Sequence, residues 1–432
     1  VANCFNYNNK TNRFNALRMK LPIKFKNLLV KKHTENLHLH GDFSCPNCMK
    51  SWHEYFNYCT EDSNKSLMDY VNKQPAELIK ESEGWHLEVV RLSEEKDRVH
   101  IFLNRPKSIL IGLKEGLNNN IVLANKLKES SGRVYCDIDD DTECLTSLRL
   151  TYLMKCLENL YSVFDDRDNP NVVLTSRSSY RRDECQAILC GAVLNAKTGG
   201  KETNFKADDY IRIRQNEMTL IAQHKYGVRV STDAKWKEFV AHLGESAVKF
   251  ELLQTRPGSA VKINFDCSSA GSSKGASFIL YNCARLEAII RAYNDKVEEG
   301  TYPPLPPFED TDFNLLTQED EWCLIFNFIM GLPSLLENSL EMSINKCDFR
   351  PHHICSFLSS MVRVFSQYYR KTRVLTEPRK HLLPVLFARL HMLKILNDTL
   401  KTCLNILNIK SILLWVLRRR HWLAERGPNA AD

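Results

Sequence analysis

A long amphipathic stretch from Ile279 to Val297 is the feature that most constrains the fold of this chain. Its apolar residues recur at intervals of four, three, four, three and four positions, which places them on one stripe of an α-helix. The stripe consists of Ile279, Cys283, Leu286, Ile290, Tyr293 and Val297. The sequence therefore predicts a long helix that buries this stripe.

Tyr281 and Arg285 lie four residues apart on an adjoining face of the same helix. They form either a packed aromatic ring with a snorkelling cation, or a ring and a guanidinium that bind a base and a phosphate. Spacing alone favours the packing interpretation, because a tyrosine on a helix is more often part of the buried face.

A cluster of basic residues follows between Met361 and Ile395, where Glu377 is the only acid. It comprises Arg363, Arg370, Lys371, Arg373, Arg379, Lys380, Arg389 and Lys394, with Tyr368 and Tyr369 among them. Cations for phosphates and rings for unstacked bases are what binding to an RNA loop needs. A solvated helix face is the alternative interpretation. The net charge of the whole chain is only +7, so the placement of these cations matters more than the total.

Further helices are predicted around this cluster. Apolar residues at helical spacing predict helices over Pro351–Arg370 and Pro384–Leu407, and an earlier helix over Glu319–Leu336 that bends or ends at Pro333. Four prolines between Tyr302 and Phe308 predict an extended connector within the domain rather than a ligand for an SH3-type partner.

The first part of the chain reads as an α/β module. Alternating apolar and polar residues predict strands over Trp85–Leu92 and Arg98–Asn104, and Leu67–Lys80 predicts a helix interrupted by Pro75.

The middle of the chain predicts a strand–turn–helix unit. Arg133–Ile138 is the predicted strand and Cys144–Val163 the helix. A strand over Ala187–Leu194, a helix over Ile211–Ala222 and a short helix over Ser231–Val240 are predicted to follow.

Cys45, Cys48, His53 and Cys59 have a spacing close to that of a zinc knuckle. The intervening residues lack the glycines of such a knuckle and are rich in aromatic residues, so reduced cysteines on an amphipathic helix are the competing interpretation. We favour reduced cysteines and predict no metal.

The fifteen cysteines are scattered and odd in number, which favours free thiols in a reducing compartment. We therefore expect a cytoplasmic protein. No apolar run reaches membrane-spanning length, and the opening residues do not form a signal peptide, so we expect no membrane association.

The order of motifs resembles arginyl-tRNA synthetases at the point where the catalytic domain meets the helical anticodon-binding domain, called DALR. The resemblance rests on Ala247–Phe250, a strand over Ile263–Asp266, and Tyr281-Asn-Cys-Ala-Arg285-Leu286. It continues in Phe365–Leu375 and in Phe387–Ile409.

Two signatures of the synthetases are missing from this chain. Where they carry His-Ile-Gly-His at the start of a helix, this chain has Cys144-Leu145-Thr146-Ser147, after a turn rich in carboxylates that would repel a triphosphate. Where they carry Lys-Met-Ser-Lys, only Lys197 and Lys201 remain, in a turn that is not a phosphate-binding loop.

The resemblance implies a mixed fold, α/β plus all-α: a degenerate class I synthetase Rossmann-like body with a C-terminal DALR helical bundle. We predict an N-terminal α/β module at residues 1–125, the degenerate domain at 126–240, the bundle at 241–410 and a divergent tail at 411–432. An amphipathic basic run in that tail would suit RNA or a membrane, but a variable end without a set function is the preferred interpretation.

The non-catalytic relatives of these synthetases imply an adaptor without catalytic residues or a cofactor. It would recognise arginine tRNAs and support 3-methylcytidine modification of the anticodon loop by a partner methyltransferase, which would hold the S-adenosylmethionine. The predicted tRNA-binding residues are Tyr281, Arg285, Arg363, Tyr368, Tyr369, Arg370, Lys371, Arg373, Arg379 and Arg389. The alternatives are a divergent arginyl-tRNA synthetase with ATP-dependent aminoacylation activity and a scaffold that does not bind tRNA.

Overall fold

The computed structural model of the chain describes residues 29–52, 65–95, 97–129, 132–138, 144–164, 170–178, 185–226, 234–265, 273–343 and 346–411. The chain divides into two compact units, which are considered separately. The first unit comprises Val1–Lys114 and Asp312–Asn327, and the second comprises Glu115–Thr311 and Phe328–Asp432.

The first unit contains a four-stranded antiparallel sheet in the order β1–β2–β4–β3. Its strands are β1 (Lys31–Lys32), β2 (Phe43–Pro46), β3 (Val89–Glu95) and β4 (Arg98–Leu103). Three short helices accompany the sheet: α1 (Leu37–His40), α2 (Leu67–Val71) and α3 (Pro75–Glu81). The interruption of the predicted helix at Pro75 is confirmed, because Pro75 opens α3 as its first residue.

A long helix, α4 (Arg105–Lys126), follows the sheet and was not predicted. Its glycines and its Asn118–Asn120 run weaken the helical pattern in the sequence, since glycine and asparagine are poor helix formers. Contacts within the second unit account for Gly116 and Asn120. A side chain at Gly116 would clash with Ile329, and Asn120 donates hydrogen bonds to the carbonyl of Ile395 and to Thr399 Oγ1.

The second unit begins with a parallel three-stranded sheet in the order β5–β6–β7. The strands are β5 (Val134–Asp137), β6 (Asn171–Thr175) and β7 (Cys185–Leu189), and α5 (Leu145–Val163) connects the first two. The predicted strand–turn–helix unit is confirmed, and it is the parallel βαβ arrangement expected of a Rossmann-like body.

The predicted strand over Ala187–Leu194 is wrong as a single element. The chain breaks after β7, and β8 (Val193–Asn195) pairs instead with β9 (Val261–Ile263) in a separate parallel ladder. Gly191 lies at the break, where a Cβ atom would clash with the backbone of Ser259 and Ala260. Local alternation of residue types does not reveal such a close backbone approach.

Two antiparallel helices, α6 (Ala207–Tyr226) and α7 (Ala234–Leu253), form a hairpin. The short helix predicted over Ser231–Val240 is therefore only the start of a 20-residue helix. Gly244 lies inside α7. A Cβ at Gly244 would come within 2.7 Å of Gln215 Cα, so glycine is needed for the two helices to approach closely.

The remaining helices complete a bundle: α8 (Ser273–Glu298), α10 (Leu332–Ser339), α11 (Pro351–Lys371) and α12 (Leu383–Ile406). Helix α8 packs against α7, α11 and α12. A small hairpin, β10 (Leu340–Ser343) and β11 (Lys346–Phe349), separates α10 from α11.

The single helix predicted over Glu319–Leu336 is wrong. The chain forms α9 (Glu319–Cys323), a π-helical segment (Leu324–Ile329) and then α10. Pro333 lies in the first turn of α10, so it begins a helix instead of ending one.

Among the described residues, no helix combines the length and the apolar character needed to cross a membrane. Every described cysteine is a free thiol, as predicted. His53 and Cys59 lie outside the described residues. Cys45 is buried in the apolar core beside Met49 and Trp52, whereas Cys48 is exposed. The described residues contain no group of three or more His, Cys, Asp or Glu side chains that could hold a metal ion.

Candidate nucleic-acid interface

Helix α8 buries the apolar stripe on which its prediction rested. Ile279, Cys283, Leu286 and Tyr293 are buried, and the other two members of the stripe are half-buried. Burial of this stripe fixes the rotation of α8, and the adjoining face that carries Tyr281 and Arg285 is therefore left half-exposed.

Arg285 is held between two aromatic rings. Its guanidinium carbon lies 4.6 Å from the ring centroid of Tyr281 and 4.5 Å from that of Tyr369, which belongs to α11. Both distances are in the range of cation–π attraction. The Nη2 group also donates a hydrogen bond of 2.8 Å to the hydroxyl of Tyr281. These contacts join α8 and α11 through a cluster of three side chains, Tyr281, Arg285 and Tyr369, which we call the Arg285 cluster.

The Arg285 cluster combines the two interpretations of its sequence. The ring and the cation pack together, yet all three side chains keep part of their surface exposed. The Nε atom of Arg285 is buried and has no hydrogen-bond partner among the described residues. The cluster thus presents aromatic faces around a guanidinium that is not paired with a carboxylate there, a combination that suits an unstacked base and its phosphate.

Helix α11 separates buried apolar residues from exposed cations. Met361, Val362 and Phe365 are buried, whereas Arg363 and Arg370 are exposed. The two arginines are seven residues apart, so they lie two turns from each other on one face of the helix. Arg370 follows Tyr369 directly, which continues the Arg285 cluster into a positively charged surface.

Tyr368 is different from the other predicted residues because its side chain is 0% exposed. Its ring is part of the core and does not reach a base in this conformation. We therefore assign Tyr368 to packing, and leave base stacking to Tyr281 and Tyr369.

The remaining predicted cations lie at the end of α11 and beyond it. Lys371 and Arg373 are exposed, and Arg379 is exposed but forms an ion pair of 2.6 Å with Glu377. Arg389 is half-buried on α12. An exposed ion pair such as that of Arg379 is weak, so it leaves the guanidinium available to a phosphate.

The proline-rich connector packs within the second unit, as predicted. The hydroxyl of Tyr293 on α8 donates to the carbonyl of Pro303 at 2.7 Å, and the rings of Tyr293 and Tyr302 stack at 5.5 Å. His391 on α12 bonds to the carbonyl of Pro306 at 3.0 Å, and burial lowers its pKa. The connector therefore ties α8 to α12.

The turn that replaces the first synthetase signature serves as an ordinary helix cap. The Cys144 side chain caps α5 by accepting a hydrogen bond of 3.4 Å from the backbone N–H of Ser147. Leu145, Thr146 and Ser147 are buried. These residues stabilise the start of α5 and are not exposed to a nucleotide.

Arg149, one turn further along α5, has a structural role that the sequence reasoning missed. Its side chain is 0% exposed, and its guanidinium donates to five backbone carbonyls at 2.5–3.4 Å. They belong to Gly191, Leu252, Thr255, Arg256 and Ser259. Burial lowers the pKa of Arg149 to about 10. This arginine fixes the loop after α7 against the end of β7.

An ion pair covers the carboxyl ends of β5 and β6. Arg177 and Thr175 donate to the carboxylate of Asp137, and the bonds from Arg177 are the main reason that the pKa of Asp137 is lowered. Ligands of open α/β sheets bind at this edge. Arg149 and Arg177 therefore both bond to groups of this chain near the ends of these strands. Residues 139–143, which hold most of the carboxylate-rich turn, lie outside the described residues.

The turn with Lys197 and Lys201 is a tight loop after β8. Gly199 has a positive φ of 71°, and both lysines are exposed. The backbone N–H of Asn195 bonds to the carbonyl of Gly200 at 3.0 Å. This geometry agrees with the prediction of a basic turn.

The part of the chain that contains the Arg285 cluster is similar to a known protein family. The model of the family described as "DALR anticodon binding domain" matches residues 279–412. The protein from Danio rerio called "DALR anticodon-binding domain-containing protein 3" is 33% identical over 233 residues, which is 52% of this chain. The aligned part is 41% of that relative, so the chain corresponds to less than half of its length.

The arginyl-tRNA synthetases match more of the chain at lower identity. The "Arginine--tRNA ligase" of Borrelia turicatae (strain 91E135) is 22% identical over 420 residues, covering 86% of this chain and 66% of that protein. The solved arginyl-tRNA synthetase of Plasmodium falciparum superposes with a TM-score of 0.53 at 12% identity, covering 92% of this chain and 97% of that one. The predicted fold class is confirmed. The chain thus has the fold of arginyl-tRNA synthetases, carries a C-terminal DALR anticodon binding domain, and is similar in sequence to DALR anticodon-binding domain-containing protein 3.

Proposed function

We propose that this chain is a non-catalytic tRNA-binding adaptor whose DALR domain holds the anticodon arm of arginine tRNAs. The observation that carries the proposal is the Arg285 cluster, in which Arg285 lies between the rings of Tyr281 and Tyr369. The cluster is half-exposed, and Arg370, whose side chain is exposed, continues it with a second cation.

The chemistry of this surface fits an RNA loop better than a double helix. Bases are accessible to stacking only where the strand is unpaired, and aromatic rings with an adjacent guanidinium bind such bases and their phosphates. The exposed cations, Arg363, Arg370, Lys371, Arg373 and Arg379, would contact the phosphates on either side.

The adaptor role, as opposed to an enzymatic one, is supported by the residues that replace the first synthetase signature and by the arginine that follows them. Cys144 and Ser147 cap a helix, and Arg149 binds backbone carbonyls. None of the three presents a free cation or a histidine to a triphosphate. We accordingly assign no catalytic residue and no resident cofactor to this chain.

The identity of the partner rests on the resemblance to the non-catalytic relatives alone. In the proposal, a tRNA 3-methylcytidine methyltransferase binds this chain, supplies S-adenosylmethionine, and methylates the anticodon loop that the DALR domain presents. Copurification of the protein from cells, followed by sequencing of the bound RNA and identification of the bound proteins, tests both parts together. We expect arginine tRNAs and one such methyltransferase. Recovery of neither would contradict the proposal.

A divergent arginyl-tRNA synthetase is the second candidate, and the alignment of 86% of the chain with a bacterial arginine–tRNA ligase favours it. This candidate predicts arginine-dependent exchange of pyrophosphate into ATP by the purified protein. A sample that binds tRNA but shows no exchange would eliminate it.

A further inference from the structure

Phe278 is an exposed aromatic residue at the edge of the Arg285 cluster. Its side chain is 42% exposed, whereas every other phenylalanine that the structure describes is buried or half-buried. Single exposed apolar side chains are common on protein surfaces, so the exposure of Phe278 matters here because of its position next to the Arg285 cluster.

The position of Phe278 on α8 relates it directly to the cluster. It precedes Tyr281 by three residues and Arg285 by seven, so the three side chains lie on one face of the helix. With a rise of 1.5 Å per residue, Phe278 and Tyr281 are offset by about 4.5 Å along the helix axis. Both residues belong to the continuous helix α8, and the side chain of Asn282 also donates to the carbonyl of Phe278 at 2.8 Å.

We propose that Phe278 is a stacking platform for an additional unpaired nucleotide, next to the one bound by the Arg285 cluster. This inference rests on the proposed function. The offset of about 4.5 Å exceeds the 3.4 Å rise between stacked nucleotides of a strand. The spacing of the two rings therefore suits two successive bases that are no longer stacked on each other, one on Phe278 and the next on Tyr281.

The surroundings favour RNA over an apolar protein segment as the ligand of Phe278. The ring lies one helical turn from Tyr281 of the Arg285 cluster, and the neighbouring α11 surface adds exposed arginines at positions 363 and 370. An apolar segment would gain from the ring but not from these charges. A single-stranded RNA would use both, because each nucleotide brings a base and a phosphate.

The test compares variants of the full chain in binding to the anticodon stem-loop of an arginine tRNA over a series of KCl concentrations. Phe278→Ala is expected to weaken binding about 5- to 100-fold, the range for loss of one base–aromatic contact. The slope of log K against log salt should stay unchanged, because no phosphate contact is lost. Phe278→Leu keeps apolar bulk on the helix and should weaken binding similarly, whereas Phe278→Tyr should restore it.

Leu220→Ala is the matched control, since Leu220 is 64% exposed on a different helix, α6. It should leave RNA affinity unchanged. Normal RNA affinity in Phe278→Ala and Phe278→Leu would overturn the inference, as would a loss confined to binding of a protein partner. If the wild-type chain binds no tRNA at all, the proposed function fails along with the inference. If it binds and only the Phe278 variants are neutral, the inference alone fails.

Discussion

Two arginines of the second unit show how the same side chain serves opposite purposes in this protein. Arg149 is fully buried and donates to five backbone carbonyls. Arg285 is half-exposed, lies between two tyrosine rings, and keeps a buried Nε without a partner among the described residues. One guanidinium is saturated by its own chain, and the other retains capacity to bind a ligand.

The difference distinguishes two places in the second unit. Near the ends of the parallel strands, where an α/β sheet binds ligands, Arg149 and Arg177 bond to carbonyls and to a carboxylate of this chain. At the Arg285 cluster, the guanidinium and both rings keep part of their surface exposed. The comparison predicts that variants of the first region change stability, and that variants of the second change RNA binding.

The largest effect is expected for Arg149→Met. The change removes the donor for five carbonyls in a buried environment, and we expect the free energy of unfolding to fall by about 3–5 kcal/mol. Urea unfolding of the purified chain measures it. Arg212→Met, on the exposed surface of α6, is the matched control and should change stability by less than about 0.5 kcal/mol. A loss below about 1 kcal/mol for Arg149→Met would remove the basis for the comparison.

A smaller loss of stability is expected for Gly191→Ala. The added Cβ meets the backbone of Ser259 and Ala260 in the loop that Arg149 holds, and overpacking of this kind costs about 1–3 kcal/mol. Gly258→Ala in the same loop is the control, because its Cβ would meet only the Leu189 carbonyl at 3.6 Å. Equal unfolding midpoints for the two variants would mean that the loop is not tightly held.

On the RNA-binding side, Arg285→Ala combined with Arg370→Ala should weaken binding to an arginine tRNA about 10- to 100-fold. The variant should also reduce the magnitude of the salt slope by about 1–2, because up to two phosphate contacts are lost. Arg212→Ala removes one exposed arginine elsewhere and provides the control in a filter-binding assay. Normal binding by the double variant would show that the RNA surface lies in another place.

The smallest effect is expected for Tyr281→Phe. It removes the hydroxyl that accepts from Arg285 Nη2 at 2.8 Å, but it preserves the ring face. We expect RNA affinity to change by no more than about threefold, and about tenfold for Tyr281→Ala, where the stacking surface is lost as well. Similar losses in both variants would assign the hydroxyl, instead of the ring, as the main contact.

Periodicity in the sequence predicted the bundle well. The stripe of α8 is buried as predicted, and the predicted bounds of α11 and α12 agree with the structure to within one residue at each end, because long amphipathic helices are dominated by their own apolar pattern. Tyr281 and Arg285 were correctly placed together on one face. Their contact with Tyr369 was not predictable, since it depends on how two helices that are distant in sequence pack together.

The errors occurred where tertiary contacts override local preference. Gly191 falls within a predicted strand and Gly244 beyond the predicted short helix, but each marks a close approach between backbone segments. Tyr368 and Tyr369 are adjacent and chemically identical, yet one is buried and the other half-exposed, which follows only from the rotation of α11. The role of Arg149 was not predictable, because its carbonyl partners lie in segments that are distant in sequence.

The most direct test of the central claim is a single preparation of the full chain assayed for both binding and catalysis. Affinity for an arginine tRNA is measured against a tRNA for another amino acid, and arginine-dependent ATP–pyrophosphate exchange is measured on the same sample. The account predicts preferential binding of the arginine tRNA with no exchange above background. Exchange that depends on arginine, or the absence of any tRNA binding, would contradict it.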